Sequence, residues 1–482
     1  MSENPDTPNE RTTLDRRSYL KIASGALVAG GTIASVTPTT ATSSVTNGDI
    51  DSNVEATTAT PDGFQYDEVY DVVDDLGMDP GGEEPIDDIL RENLQSNTKL
   101  EFPDGTYRVT ELVYNYGNGL HDFGMVGVEE GATMLLDTPD SATQNPGAMW
   151  LSVGGASDSY NIQYEGLRHD VTDAPEAPGM QINVDDGLLV RDVDHHGVHD
   201  GSKGPFIFGV LTDDGSGLVE GLRAPDGAPD GSGAVGVFVH QYTKGDLEFR
   251  DCHVGGFPNN GLYESSKSTG TVTVTGGEYR NNNIANVRLA GSGGTVRDCC
   301  VVIDDAHSSS SFPTNMRGIW LFADDATVEN CDVSLTADVA SDGAIVAAGA
   351  GTTTIRDTRI RIGTDDTAAM YAVKPKSTPA PVVCSGVQVT GDANHTGSGY
   401  PGSAPLRAFG RPNSVFESCC VSQTGTDRDG ILLQYCDGST VTGSGFDVTG
   451  DAVVLDHSDD VTQRCNSTCG ASCASPSCSS EE

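Results

Sequence analysis

The stretch Thr295–Phe322, TVRDCCVVIDDAHSSSSFPTNMRGIWLF, decides the fold of this chain. It contains two short runs with alternating apolar residues, TVRDCCVVI and RGIWLF, on either side of a polar loop. The first run recurs as DLEFRDCHV, ATVENCDVSL and SVFESCCVS, and the second as NGLYES, NVRLAG, AMYAVK and DGILLQ. Copies of the second run follow one another at intervals of about 22 to 36 residues, a range typical of stacked-repeat proteins. This period predicts a solenoid of short strands.

The composition of the 482 residues agrees with short strands joined by turns. Hydrophobic residues make up 36% and aromatic residues 6%, which is low for one conventional globular core of this length. The chain also contains 59 glycines, and long amphipathic helical patterns are nearly absent. The sequence therefore predicts an all-β protein.

The formal net charge is −44 and the pI is near 4.2. The acidic residues are spread over the whole chain, so we interpret them as an adaptation to high salt, in a composition of the haloarchaeal type. A dedicated acidic binding surface is the alternative. A surface with this charge repels phosphate, and nucleic acid is therefore not expected as a partner.

The N-terminus has the pattern of an export signal. Asp15–Lys21 reads DRRSYLK, a twin-arginine sequence, and Ile22–Val36 is a short apolar segment of small residues. Such signals direct folded proteins out of the cell. We predict a signal peptide over residues 1–45, a disordered linker over 46–62, and a secreted or cell-surface protein. The apolar segment is short for a membrane anchor, and no membrane span is predicted in the mature chain.

The segment that follows resembles the start of a known fold family. Phe64–Leu76 and Ile86–Leu94 have apolar residues at helical spacing, and Leu100–Leu112 reads LEFPDGTYRVTEL. Helix, FPDGTY and stacked strand repeats in this order resemble pectate-lyase-like right-handed parallel β-helices. The resemblance implies an N-terminal helical cap over residues 63–99 and a right-handed parallel β-helix over 100–460. Residues 461–482 are rich in Ser and Cys, do not match the repeat and are expected to form a Cys-rich tail. It does not specify an activity, because this scaffold is shared by lyases, glycoside hydrolases, epimerases, adhesins and phage tailspikes.

Side chains in the second run alternate, so every other residue is expected to point into the solenoid. The inward set is aliphatic except for Glu264 and comprises Leu262, Val287, Leu289, Ile319, Leu321, Met370, Leu406, Ile431, Leu433, Val453 and Leu455. No single coil can bury these residues, but parallel stacking at about 4.8 Å can.

Two groups of cysteines stand out. Cys252, Cys299, Cys331 and Cys419 share one position of the first run, where other coils have Thr358 and Ser444. We interpret them as an inward ladder of small residues, with metal binding or disulfides between neighbouring coils as the alternatives. Cys465, Cys469, Cys473 and Cys478 lie close together in the tail, and their spacing lacks the paired CxxC knuckles of common zinc modules. Two disulfides within the tail are predicted there, with a zinc site as the alternative.

The third position of the second run is expected to point outward. It is occupied by Phe238, Tyr263, Arg288, Trp320, Ile345, Tyr371, Arg407, Leu432 and Val454, with Arg317, Lys374, Lys376 and Arg411 beside them. Aromatic rings stack on sugars, and Arg and Lys pair with carboxylates or sulfates. Our hypothesis is a groove for an acidic polysaccharide, bound by Tyr263, Arg288, Arg317, Trp320 and Arg411. The alternative is that the aromatic residues pack under loops while the basic residues pair with surrounding Asp.

A polysaccharide lyase acting on uronates needs a base, a cation for the carboxylate and an acid for the leaving oxygen. Lys374 or Lys376 is the candidate base, Arg288 or Arg407 the carboxylate ligand, and Tyr371 the acid. The alternatives are a non-catalytic cell-surface glycan-binding or envelope protein and a glycoside hydrolase on the same fold.

Acidic pairs offer a possible calcium site, because calcium prefers oxygen ligands and could neutralise the substrate carboxylate. The candidates are Asp213-Asp214 and Asp365-Asp366. Gly363–Asp366 also superficially resembles the Asp pairs of glycoside hydrolases on this fold, although the companion motifs of polygalacturonases are absent. No other cofactor is predicted.

An alternative site is suggested by the histidines. Asp194–Asp200 reads DHHGVHD and contains His195, His196, His199 and Asp200, and His240 follows one or two coils later. Histidines can transfer protons or bind metal. The competing interpretation is hydrogen-bonded histidines in a turn.

Overall fold

The computed structural model describes residues 64–129, 131–137, 149–155, 157–174, 176–201, 203–307, 312–375, 377, 379–397, 402–467 and 473. These residues form a right-handed parallel β-helix, as predicted from the repeats. Each full coil contributes one strand to each of three parallel sheets, which we name A, B and C in chain order. The predicted signal peptide and linker lie outside the described residues, as do Lys376, Cys469 and Cys478.

Within the described residues, sheet A has 15 strands, sheet B has 14 and sheet C has 13. Sheet A contains Glu68–Asp71, Thr98–Phe102, His121–Gly127, Tyr160–Glu165, Asp186–Arg191, Ser216–Glu220, Asp246–Arg250, Thr271–Thr275, Thr295–Arg297, Thr327–Glu329, Thr353–Arg356, Val382–Ser385, Val415–Glu417, Thr440–Thr442 and Thr462–Arg464. Sheet B contains Gly81–Pro85, Gly105–Val109, Ala132–Leu136, Arg168–Asp170, Asp194–His196, Arg223–Ala224, His253–Gly255, Glu278–Arg280, Cys300–Ile303, Asp332–Leu335, Arg359–Ile362, Gln388–Gly391, Cys420–Gln423 and Gly445–Val448. Sheet C contains Val113–Tyr116, Met149–Gly154, Gly179–Val184, Phe206–Val210, Val237–Val239, Asn260–Glu264, Ala285–Leu289, Arg317–Leu321, Gly343–Ala347, Ala368–Ala372, Leu406–Phe409, Ile431–Gln434 and Val453–Asp456.

The first coil has a helix, Asp87–Asn93, where later coils have a sheet C strand. Its buried Asp87 accepts hydrogen bonds from the backbone N–H and the hydroxyl of Thr110, at 3.0 and 2.7 Å, and this fixes the helix to the second coil. The second predicted helix, Ile86–Leu94, is thus present. The first, Phe64–Leu76, is wrong. Strand Glu68–Asp71 occupies that segment because it pairs with Thr98–Glu101, and tertiary pairing overrides helical spacing.

The short turns between sheets A and B account for some of the Asp and Asn residues. The residue at this corner has positive φ in coil after coil: Asp192, Asp251, Asp298, Asn330 and Asp357, at φ between 48° and 58°. Asp and Asn tolerate this conformation better than other residues with a Cβ. Some of the acidic residues therefore serve the backbone conformation of these turns.

The core consists of aliphatic columns that run along the solenoid. Val287, Ile319, Ile345, Met370 and Leu406 are stacked in register and fully buried, which confirms the inward assignment. Ile345 was expected to point outward, and this is wrong: Val346 occupies the outward position because the register pairs Trp320 with Val346. In the last coil Leu455 is 41% exposed, because no described coil stacks upon it.

The cysteine ladder lies inside the solenoid, as predicted. Cys252, Cys299, Cys331 and Cys419 are all buried, and Thr358 and Ser444 are buried as well. The Cys331 thiol donates to the carbonyl of Val296 at 3.5 Å, in the preceding coil. Burial raises the pKa of the Cys252 thiol to about 12. Thiols in such surroundings remain protonated, which favours packing over metal ligation.

The tail cysteines pair differently from the prediction. Cys473 forms a disulfide with Cys420, which lies 53 residues earlier in a sheet B strand, so this bond joins the tail to the solenoid wall. Cys300, in another sheet B strand, is also disulfide-bonded, whereas Cys465 is a free, exposed thiol. Two disulfides within the tail are thereby excluded. In the described part of the chain, no helix has the length and apolarity that a membrane crossing requires.

Candidate functional site

The outer face of sheet C displays the predicted line of aromatic and basic residues. Consecutive strands place these side chains in register as Phe238, Tyr263, Arg288, Trp320, Val346, Tyr371, Arg407, Leu432 and Val454, which we call the sheet C column. The column forms because each coil repeats the same alternation and parallel strands stack equivalent positions.

In the N-terminal half of the sheet C column, an arginine lies between aromatic rings. The guanidinium of Arg288 is 4.4 Å from the ring centre of Tyr263 and 4.8 Å from that of Trp320. Phe238 contacts Tyr263 edge to face, with ring centres 5.3 Å apart. Guanidinium–ring contacts at such distances are attractive, and they hold Arg288 in one orientation on the sheet.

Trp320 occupies an outward position, as its place in the run predicts, but only 8% of its surface is exposed. Arg317 lies over its ring at 4.1 Å, and Arg288 contacts it from the preceding coil. Arg317 is itself buried and paired with Asp342, whose Oδ2 is 3.1 Å from Nε. Trp320 and Arg317 therefore support the surface, and the more exposed groups are Tyr263 and Arg288.

In the C-terminal half of the sheet C column, the guanidinium of Arg407 lies over the ring of Tyr371, 4.4 Å from its centre. Its Nε and Nη2 donate to Gln434 Oε1 at 3.1 and 2.8 Å, which orients the guanidinium plane. Burial raises the pKa of the Tyr371 phenol, although Arg407 opposes this shift, so the hydroxyl is protonated at neutral pH. The negative charge of Asp342 also raises the pKa of the Tyr371 phenol. The sequence pattern did not predict a role for Gln434 or Asp342. Their contacts with Arg407 and Arg317 are evident only in the folded structure.

The remaining predicted basic residues have different surroundings. Lys374 is exposed and its side chain lies against Gly410, where an added Cβ would be 2.7 Å from its Cδ. Arg411 is fully buried and donates to the carbonyls of Gly349, Val373 and Ala380 at 2.6, 2.9 and 3.1 Å. Arg411 is thus engaged inside the loops, away from any ligand.

The candidate calcium ligands Asp365 and Asp366 accept hydrogen bonds from backbone N–H groups of a neighbouring loop. Asp366 Oδ1 accepts hydrogen bonds from the backbone N–H groups of Thr396 and Gly397, at 2.8 and 3.0 Å, and Asp365 Oδ1 accepts one from Asn394 at 2.7 Å. Burial raises the pKa of Asp366, but the hydrogen bonds from Thr396 and Gly397 outweigh it and lower the pKa to about 2. These carboxylates stabilise a loop. No group of three His, Cys, Asp or Glu side chains in the described ranges is arranged to hold a metal, and no calcium-dependent step is assigned to this pair.

The histidines of the alternative site are divided between core and surface. His195 and His199 are buried, with Nε2 of the former 3.3 Å from Nδ1 of the latter. His169 is next to His195 in the register of sheet B, their rings meet edge to face with centres 5.9 Å apart, and Nε2 of His169 lies 2.6 Å from the hydroxyl of Tyr164. His169 lies in the coil before that of His195, so its position in the repeat could have identified it. The repeats before residue 245 are less regular, and this position is therefore not evident from the sequence.

The other three members of the alternative site lie outside this buried group. His196 is on the surface, with Nδ1 3.7 Å from Asp226. Asp200 is exposed and accepts the N–H of Ala177 at 2.7 Å. His240 directly follows the sheet C strand Val237–Val239, and its ring contacts that of Tyr242. The five predicted residues do not form one surface cluster.

The buried histidines predict a pH dependence of stability. Burial lowers the pKa of His195 to about 4, although Asp226 opposes the shift. The unfolded chain binds this proton below about pH 6.5, so the free energy of unfolding should fall as the pH is lowered. Between pH 6.5 and 5 we expect His195 alone to contribute a loss of about 1.5 kcal/mol, measured by urea unfolding at fixed salt.

Two variants test this pH dependence. His195→Leu should reduce the slope of unfolding free energy against pH between 6.5 and 5. His196→Leu changes an exposed neighbour and should keep the wild-type slope. An unchanged slope in His195→Leu would show that folding does not lower the pKa of His195.

Comparisons with known proteins show likeness only to distant solved structures. No protein-family model matches the chain, and no curated protein sequence matches it. The Azotobacter vinelandii mannuronan C-5 epimerase AlgE6 A-module is 11% identical over 84% of this chain and 100% of that chain, with a TM-score of 0.41. The Streptococcus pneumoniae surface adhesin PfbA is 12% identical over 82% of this chain and 92% of that chain, with a TM-score of 0.39. Geobacillus virus E2 ORF18 is 14% identical over 74% of this chain, which spans 61% of the viral chain, at a TM-score of 0.39. At these identities and TM-scores the likeness does not extend to function.

Proposed function

We propose that this protein binds an acidic polysaccharide along the outer face of sheet C. The observation that supports the proposal is the pair of arginine–aromatic contacts, Arg288 with Tyr263 and Arg407 with Tyr371. Both arginines are partly exposed on a protein of net charge −44, where local cations oppose the general trend. An orienting contact reduces the conformational entropy that a guanidinium loses when it binds a ligand carboxylate.

The spacing of the two arginines favours a polymer over a single sugar. Arg288 and Arg407 are four strands apart in sheet C, which corresponds to about 19 Å at about 4.8 Å per strand. A chain with a carboxylate or sulfate on several of its units could contact both arginines at once. Simultaneous contacts raise the overall affinity through effective concentration.

Eliminative cleavage by a polysaccharide lyase is the second candidate, favoured by the Tyr371–Arg407 contact. In that reaction Arg407 would neutralise the uronate carboxylate and a base would take the C5 proton. The C4–O bond would then break, and the Tyr371 hydroxyl would protonate the leaving oxygen. The candidate base Lys374 is exposed, whereas lysine bases are usually desolvated. The geometry therefore supports binding better than turnover.

The binding proposal is tested by calorimetric titration with pectate, alginate and a sulfated glycan in high salt. Arg288→Gln and Arg407→Gln should each weaken binding by about tenfold, because each removes a charge-assisted hydrogen bond to the polymer. Arg361→Gln, on the outer face of sheet B, should bind as the wild type does. If neither sheet C variant weakens binding, the polymer does not bind at this face.

The lyase candidate has a separate readout. The absorbance of unsaturated products should rise when wild-type protein is incubated with a uronate polymer, and the rise should disappear in Tyr371→Phe. Binding without any absorbance change would leave binding as the function and remove the lyase.

A further inference from the structure

An exposed group of aromatic rings lies at the C-terminal end of the sheet C face. Tyr435 is 50% exposed, and its ring is stacked on that of the exposed His457, with ring centres 4.9 Å apart. Phe409 meets Tyr435 nearly edge on, at 5.8 Å. We propose that these three rings, which we call the corner platform, bind an uncharged sugar unit of the polysaccharide whose acidic unit contacts Arg407. This assignment rests on the proposed function, because it names a second unit of the same polymer.

The backbone of the corner platform is strained. The register aligns Gly410, Tyr435 and His457 at the turn that follows three successive sheet C strands. All three have left-handed backbones, with φ of 61°, 53° and 49°. Glycine accepts this conformation, whereas bulky side chains seldom adopt it. Two coils thus have an exposed aromatic side chain where the backbone favours glycine, and strain of this kind is typical of functional sites.

A chain of hydrogen bonds connects the corner platform to Arg407. Gln434, which accepts from Arg407, donates through Nε2 to Asp456 Oδ2 at 2.9 Å. Asp456 Oδ1 in turn lies 2.6 Å from Nδ1 of His457 and orients that ring. Arg407 and His457 are two coils apart, which corresponds to about 10 Å at about 4.8 Å per strand. A polymer that passes Arg288 and Arg407 therefore reaches the platform within that distance.

The charges around the corner platform favour an uncharged sugar. Hydrogen bonds from Gln434 and His457 lower the pKa of Asp456, so this carboxylate is ionised at neutral pH. Asp437, two residues after Tyr435, is exposed as well. A carboxylate or sulfate on the bound sugar would be repelled by both. An ionised Asp456 only accepts hydrogen bonds, so Nδ1 of His457 carries the proton and Nε2 is left to accept one from a sugar hydroxyl.

The C-terminal tail leads away from the corner platform at the residues where the structure describes it. Ser467 pairs with Gly445, and Cys473 is bonded to Cys420, so both points of the tail lie on sheet B. The platform lies at the turn between sheets C and A. Its position next to the arginine face therefore favours the polymer as its occupant over the tail.

Sheet B carries a polar cavity of about 1020 Å³, and its chemistry differs from that of the corner platform. No aromatic ring other than imidazole is among the described residues that line this cavity. A sugar could form hydrogen bonds there but could not stack on a phenol or phenyl ring. Stacking of a sugar is available at the platform, where the rings are exposed.

The test is calorimetric titration of the full chain in high salt with three tetrasaccharides. The first, from hyaluronan, alternates glucuronate with uncharged N-acetylglucosamine; the second, from pectate, contains only uronates; the third, from cellulose, is uncharged throughout. The alternating tetrasaccharide should bind at least about tenfold more tightly than either of the others. It alone offers a carboxylate to Arg407 and an uncharged ring to the corner platform.

Tyr435→Gly is the decisive variant. It should reduce the affinity for the alternating tetrasaccharide about tenfold, to that for the all-uronate one. Because glycine suits the left-handed backbone at this position, the melting temperature should stay the same or rise. Tyr242→Ala is the matched control, since Tyr242 is 57% exposed but follows a strand six places from that of Arg407, about 29 Å away. The control should bind all three tetrasaccharides as the wild type does.

Other results would overturn the inference. Absence of binding, equal affinity for the alternating and the all-uronate tetrasaccharides, or full affinity in Tyr435→Gly would each exclude an uncharged-sugar site at the corner platform. A lower melting temperature or a changed oligomeric state of Tyr435→Gly, with binding intact, would show that the rings pack against this chain or a second copy. Arg407→Gln separates the two proposals. If it weakens binding of both acidic tetrasaccharides and Tyr435→Gly does not, the proposed function stands and the platform assignment fails. If only Tyr435→Gly weakens binding, the platform binds sugar and the role proposed for Arg407 fails.

Discussion

Ile319→Asp is expected to abolish folded, soluble protein. Ile319 is completely buried and stacks between Val287 and Ile345 in the central aliphatic column. The change removes burial that contributes roughly 1.5–3 kcal/mol and places an unpaired carboxylate inside the solenoid at a further cost of several kcal/mol. Together these losses exceed about 5 kcal/mol, comparable with the whole stability of many domains.

The measurement is the soluble fraction together with cooperative thermal unfolding in high salt. Val198→Asp is the matched control, because Val198 is 53% exposed and should tolerate the same carboxylate. If Ile319→Asp gives soluble protein that melts cooperatively near the wild-type temperature, the side chain at 319 does not point into the core.

Arg411→Leu should cost about 3–5 kcal/mol of unfolding free energy. The guanidinium donates to the carbonyl of Gly349 in the loop of one coil and to those of Val373 and Ala380 in the loop of the next coil. Leucine would leave the buried carbonyl of Gly349 and the partly buried carbonyls of Val373 and Ala380 without this donor. Burial lowers the pKa of Arg411 to about 10, so the side chain remains charged at neutral pH and its hydrogen bonds are charge-assisted.

The control for this prediction is Arg361→Leu, because Arg361 is exposed on sheet B and its loss should change stability by less than about 0.5 kcal/mol. Urea unfolding of both variants gives the comparison. Equal stabilities for the two variants would indicate that the Arg411 contacts contribute little. A second readout is glycan binding, which a folded Arg411→Leu variant should retain if the side chain acts only in the loops.

Much of the sheet C column could be predicted from the sequence because its cause is local. Alternation within each run assigns one side chain in two to the outside, and stacking brings equivalent positions such as Arg288 and Trp320 into register. The same reasoning led to the ladder of Cys299 and Cys331. It failed at Ile345, because the run that contains Ile345 is shifted by one residue relative to the other runs, and the register pairs Ile345 with the inward Ile319.

Accessibility could not be predicted in the same way. Arg407 and Arg411 are four residues apart and look alike in the sequence, yet one lies on an aromatic ring at the surface and the other is fully buried. Trp320 points outward as predicted, but two arginines cover it. Which side chains are covered depends on the paths of the connecting loops, and those loops do not follow the repeat.

The solenoid, its inward aliphatic columns and the line of aromatic and basic residues on one face follow from the sequence alone. These features depend on a two-residue alternation and a repeat of one coil, both of which are visible in the chain. Three features are evident only in the folded protein: the disulfide between Cys473 and Cys420, the contact of His169 with His195 in the core, and the polar cavity on sheet B. These contacts join residues from different coils, and no local pattern encodes which of those residues come together.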